Sequence, residues 1–143
     1  MKELPAYFGG MIDLLTAYLE QGADHFTLQT HGGGYQVGPY VQALQEHDGM
    51  LLIEAISNKF LEPPASSMDH QVMLFLGWRL MPEDYLPNYT QFINQSEVSA
   101  REIAIKLVQA LHFGYGVDDS FKYEIAPPLN QVSSPKKHLR SIN

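Results

Sequence analysis

At 143 residues and 45% hydrophobic content, the chain is long enough for one packed domain, too short to suggest two, and too apolar to stay disordered. It has no cysteine, which removes disulfides and thiolate metal sites. The net charge of −7 is uneven: residues 1–129 hold 16 carboxylates against 6 lysines and arginines, a balance of −10, while Lys136, Lys137 and Arg140 make residues 130–143 basic. An acidic body repels phosphate backbones, so nucleic acid is not an expected partner.

Leu4, Tyr7, Phe8, Met11, Ile12, Leu15, Tyr18 and Leu19 recur at the spacing of one helix face, which predicts an N-terminal helix stopped near Gly22. Gly9 and Gly10 each cost a helix about 1 kcal/mol against alanine, so packing must supply its stability. The period then changes to two. Phe26, Leu28 and Thr30 share one face of a strand, with His25, Thr27 and Gln29 on the other. Gly32-Gly33-Gly34 turns the chain into a second extended run over about 35–46, which Gly38-Pro39 interrupts as at a bulge or a sheet edge. Asp48-Gly49 is a hairpin signal, and Met50 to Ser57 reads as a third, more apolar strand. The first half is thus a helix followed by a three-stranded antiparallel meander.

Glu62-Pro63-Pro64 breaks the pattern. Met68 to Trp78, too apolar for a decisive period, fits a buried strand or a short helix, the helix, capped by Ser66, Ser67 or Asp69, being the favoured reading. A loop pinned by Pro82 and Pro87 follows, then an extended stretch from Tyr89 to Ile93. Ala100, Ile103, Ala104, Leu107, Val108 and Leu111 form an unbroken apolar stripe on a helix at about 97–113, with Ser99 and Glu102 fitting a capping box and Glu102–Lys106 an i, i+4 ion pair. Phe121 to Ala126 reads as a last strand, and residues 130–143 as a polar, weakly basic, flexible tail. The fold class is α+β, one domain over 1–129. No apolar run approaches the roughly 20 residues of a membrane span, and Met1 to Pro5 does not open a signal peptide. The expected address is cytoplasmic, with no membrane partner.

No catalytic constellation stands out. The six histidines form no His-x-His or His-x-x-x-His pair, and the 32–34 glycines lack the Gly-Lys-Ser/Thr ending of a phosphate loop. Glu83-Asp84 and Asp118-Asp119 read as solvated turns, and no serine sits in a nucleophile elbow. The residues nominate no catalytic group, no cofactor and no metal, and an enzyme is not expected.

Phe75-Leu76-Gly77-Trp78, Pro82, Pro87-Asn88-Tyr89, then Ile103-Ala104 and Tyr115-Gly116-Val117 resemble the TY-Chap domains, a bacterial family grouped with type III secretion chaperones and YbjN-like proteins. Glu54-Ala55-Ile56-Ser57-Asn58 before Phe60-Leu61 fits the same resemblance, which covers residues 4–126. Ala110-Leu111-His112-Phe113 departs from the Thr-Leu-Arg-like sequence expected there. The resemblance implies a type III secretion chaperone-like fold, often dimeric, that binds a protein or peptide without catalysis. Peptide capture at a sheet edge would supply backbone hydrogen bonds and side-chain pockets. The 35–46 strand is the expected edge, with Tyr40, Val41, Trp78 and Tyr89 as expected contacts, although Trp78 also suits a core position. Two other readings stand beside it: an immunity protein neutralising a basic toxin, and a small-molecule sensor or enzyme whose site is assembled from distant residues.

Overall fold

The structure is a computed structural model that describes residues 3–57, 61–64, 67–80, 88–129 and 140–142. A 3-10 turn at Ala6–Phe8 leads into α1 (Gly9–Glu20), then three strands, β1 (His25–His31), β2 (Tyr40–Gln45) and β3 (Met50–Ala55). Next come α2 (Ser67–Phe75), β4 (Arg79–Leu80) and β5 (Tyr89–Asn94). Helix α3 (Ala100–Gln109) runs on into a π turn (Ala110–Gly114), and β6 (Lys122–Ala126) and β7 (Arg140–Ser141) complete the set. The strands form one antiparallel sheet in the order β4-β5-β3-β2-β1-β6-β7. The expected α+β class is what the structure shows.

Alternation along the strands divides the sheet into two faces. Phe26, Leu28 and Thr30 of β1, Val41 and Ala43 of β2, Leu51, Ile53 and Ala55 of β3 and Ile93 of β5 are all buried. They join Phe8, Met11 and Leu15 of the N-terminal segment and Ile103, Ala104, Leu107 and Val108 of α3 in one hydrophobic core. Helices α1 and α3 pack against each other over this face. Removing each of the larger apolar side chains among them from water is worth about 1.5–3 kcal/mol, which outweighs the cost of Gly9 and Gly10 in α1.

The hairpin between β2 and β3 turns at Asp48 and Gly49, both at positive φ (60° and 76°), as a type I′ turn demands. Ser99 caps α3: its hydroxyl oxygen accepts from the Glu102 backbone N–H at 3.1 Å. The helix predicted over 97–113 is a ten-residue α-helix followed by a π turn. That widened turn places Gly114 against Met73 of α2, where an added Cβ would collide with the thioether sulfur.

Two expectations need correction. The 35–46 run is not a sheet edge, because β2 bonds to β1 on one side and to β3 on the other. The middle strand of a meander has two neighbours, and Gly38-Pro39 lies ahead of the strand rather than within it. The chain's last described residues are not a loose tail either: Arg140–Ser141 pairs with β6 and Ile142 is buried. The Pro82–Pro87 loop and residues 130–139 lie outside the described residues.

Candidate functional site

Among the described residues, every helix that contributes to the core does so on the inner face. The strand positions that alternate with the core build a second, open face. Register sets Phe92 of β5, Leu52 of β3 and Leu44 of β2 side by side, one apolar row crossing three strands. Phe92 is 59% exposed, Leu44 45%, and Leu52 is half-buried. Two residues along β3 and β2 from Leu52 and Leu44, Glu54 and Gln42 form a polar row that Thr27 of β1 and Asn88, just ahead of β5, extend. Asn88 Nδ2 donates to Glu54 Oε2 at 3.0 Å, Gln42 Nε2 donates to the same oxygen at 3.0 Å, and Thr27 Oγ1 donates to Gln42 Oε1 at 3.3 Å. This chain holds the Glu54 carboxylate in place on the face.

At the far side of the face, a recess of about 400 Å³ opens between β1, β6 and the segment at 36–38. Thr27, Gln29, His31, Gln36, Val37 and Glu124 line it. Its wall depends on Gly38, where a Cβ would collide with the carbonyl oxygen of Thr30. Thr30 fixes the same segment from β1, its N–H and hydroxyl both donating to the Pro39 carbonyl, at 3.0 and 2.5 Å. Gln29 Nε2 donates to the carbonyls of Thr30 and Gly38, each at 2.9 Å, and ties the wall to the strand.

The four expected contact residues do not come together on a surface. Val41 is fully buried on the core face, and Trp78, also fully buried, sits just beyond α2. The Trp78 Nε1–H meets no acceptor among the described residues. Tyr89 is 4% exposed, and its hydroxyl shares a 2.5 Å hydrogen bond with His70 Nδ1. Only Tyr40 reaches toward the open face, where its hydroxyl accepts from Asn88 Nδ2 at 3.3 Å. Burial pushes its ionisation up, the Asn88 bond opposes that, and the Glu54 charge adds to it.

His31, His70 and His112 make separate contacts. His31 Nε2 lies 3.7 Å from Glu124 Oε1, and His112 Nδ1 donates to the Val117 carbonyl at 2.7 Å. Asp118 accepts from the Ser120 hydroxyl and backbone N–H, which holds its carboxyl below the usual range as part of a turn. Among the described residues no group of three or more His, Asp or Glu is placed to hold a metal ion, and no helix is long and apolar enough to cross a membrane.

Sequence reasoning passed over Leu44, Leu52 and Phe92. A signal existed in Met50-Leu51-Leu52-Ile53, a strand that is apolar at consecutive positions and so presents carbon to both faces. No family model, no curated protein and no solved structure matches this chain.

Proposed function

We propose that this chain is a non-enzymatic polypeptide-binding domain, chaperone-like or adaptor in character, that acts in the cytoplasm and docks its partner on the open sheet face. The observation that carries the proposal is the Leu44–Leu52–Phe92 row, an apolar strip with two exposed side chains and one half-buried, on a sheet whose other face carries the hydrophobic core. Exposed apolar strips rimmed by polar groups mark interaction sites. The resemblance to the TY-Chap family supports the same reading, and membership of that family is part of the proposal. A second copy of the chain is the competing occupant. The net charge of −7 sets two copies against each other and favours a basic partner.

Phe92→Lys and Leu44→Lys test it. Both side chains are exposed, so each variant should unfold within about 0.5 kcal/mol of the parent. Peptides selected for binding to the parent chain from a random library should lose at least tenfold in affinity to either variant. Peptides that bind the variants as well as the parent would place the partner elsewhere.

A further inference from the structure

Glu54 stands on the open face where the polar row meets the apolar one. Its neighbours in register are neutral, Gln42 on β2 and Thr90 on β5, and Leu52 lies two residues along β3 on the same face. Asn88 Nδ2 and Gln42 Nε2 both donate to one carboxylate oxygen, Oε2. Thr27 donates to Gln42 Oε1, which fixes the end of that amide that faces the carboxylate. An ionised carboxylate has about four acceptor positions. The two amides take those of Oε2, and Oε1 accepts from no described residue.

Neither amide brings a charge, and among the described residues Glu54 enters no ion pair. Arg79 lies in the same row beyond Thr90, but its Nη1 donates to the Trp78 carbonyl at 3.1 Å. Two strand spacings separate the Arg79 and Glu54 backbones by about 10 Å. A half-buried carboxylate held in place without a counter-charge, beside exposed carbon, complements a segment that brings both.

We infer that Glu54 Oε1 takes the ammonium of a lysine carried by the polypeptide that lies on the open face. The inference rests on the polypeptide-binding reading above and adds the partner's chemistry and spacing. One open oxygen suits a compact ammonium, whereas the planar fork of arginine gains its advantage by bridging both oxygens of a carboxylate. Leu52 and Glu54 lie about 7 Å apart along the strand, the distance between alternate residues of an extended chain. The partner segment therefore carries its lysine two positions from the apolar residue seated on Leu52, with Leu44 and Phe92 on either side of that residue.

Capped seven-residue peptides with phenylalanine at the centre and lysine two positions before or after it provide the test, each made also with acetyl-lysine and with arginine. Amide NMR titration would be run on the parent chain, on Glu54→Gln, and on Glu20→Gln, which removes the same charge from the exposed end of α1 across the sheet. One lysine peptide should shift the amides of Leu44, Leu52 and Phe92 and the side-chain amide signals of Gln42 and Asn88. It should bind the parent at least fivefold more tightly than its acetylated form and at least as tightly as its arginine form. Glu20→Gln should keep the fivefold ratio, and Glu54→Gln, shown by its spectrum to be folded, should bring it close to one. Gln42 and Asn88 signals that stay unmoved in the parent would place the ammonium elsewhere and overturn the inference, whatever the variant does. Equal binding of lysine and acetyl-lysine peptides, or a ratio that survives in Glu54→Gln, would also overturn it. Shifts still centred on Leu44, Leu52 and Phe92 would then leave the polypeptide-binding reading intact. Tighter binding of the arginine peptide would overturn the choice of lysine, and shifts nowhere on the open face would overturn both readings.

Discussion

Trp78 shows how one residue's chemistry depends on what surrounds it. A lone tryptophan beside a proline-rich loop suits a ligand anchor, yet here the indole is fully buried. Its fluorescence should therefore be blue-shifted and resist quenching by iodide, and open-face peptides should leave both properties unchanged. Gly38 carries a different kind of constraint. Because a Cβ there meets the Thr30 carbonyl oxygen, Gly38→Ala must push the 36–38 wall away from β1. Overpacking of this kind costs about 1–3 kcal/mol. A lowered urea midpoint, with NMR changes centred on Thr30 and Gln29, would show it. Tyr115 is a third case: its buried hydroxyl donates to the Ile56 carbonyl. Tyr115→Phe removes that donor while keeping the ring, and it should destabilise the fold by about 1–3 kcal/mol in denaturant unfolding.

Among the elements, α3 is the one whose local signals and tertiary role agree most closely. Its apolar stripe faces the core, and Ser99 caps its first turn. Ser99→Ala should cost about 1 kcal/mol, measured as a shift in denaturation midpoint with little change in slope. The π turn that follows was not legible, because widening a helix by one residue answers the demand of a neighbour rather than of the local sequence. That neighbour is Met73, buried in α2 and packed on Gly114. Strand β2 shows the reverse error. Gly38-Pro39 suggested an edge, but the close approach to Thr30 explains that pair, and β2 itself lies between two strands.

For the whole molecule, the tyrosines that folding buries set one response to alkali. Burial raises the ionisation of Tyr18, Tyr40, Tyr89, Tyr115 and Tyr123 above their ordinary value, Tyr115 the furthest. Below about pH 10 these hydroxyls keep their protons in the folded and unfolded chain alike, so they leave stability unchanged there. Above it the unfolded chain releases protons that the folded chain retains, and stability falls as pH rises. Urea unfolding followed from about pH 9 to about pH 11 should show a midpoint that declines through the upper half of that range. The phenolate absorbance of Tyr115, the most deeply buried of these, should appear together with unfolding rather than before it.

Local pattern was enough for the class and for most elements, though not for β4, β7 or the π turn. Periods of 3.6 and 2 record which side chains must leave water, and Asp48-Gly49, Ser99 and the glycines past each helix record where the backbone must turn or stop. The first half of the sheet followed from these, since a meander is made of local pairings. Only the assembled fold shows that β5 joins β3 and that β6 and β7 extend the sheet from β1. Those pairings join residues far apart in the chain, and no local pattern encodes them. The same long-range pairing brings Leu44, Leu52 and Phe92 into one row and Thr27, Gln29 and Glu124 around one recess. An open face is a property of the assembled sheet, because a side chain is exposed or covered according to what packs over it, not according to its neighbours in sequence.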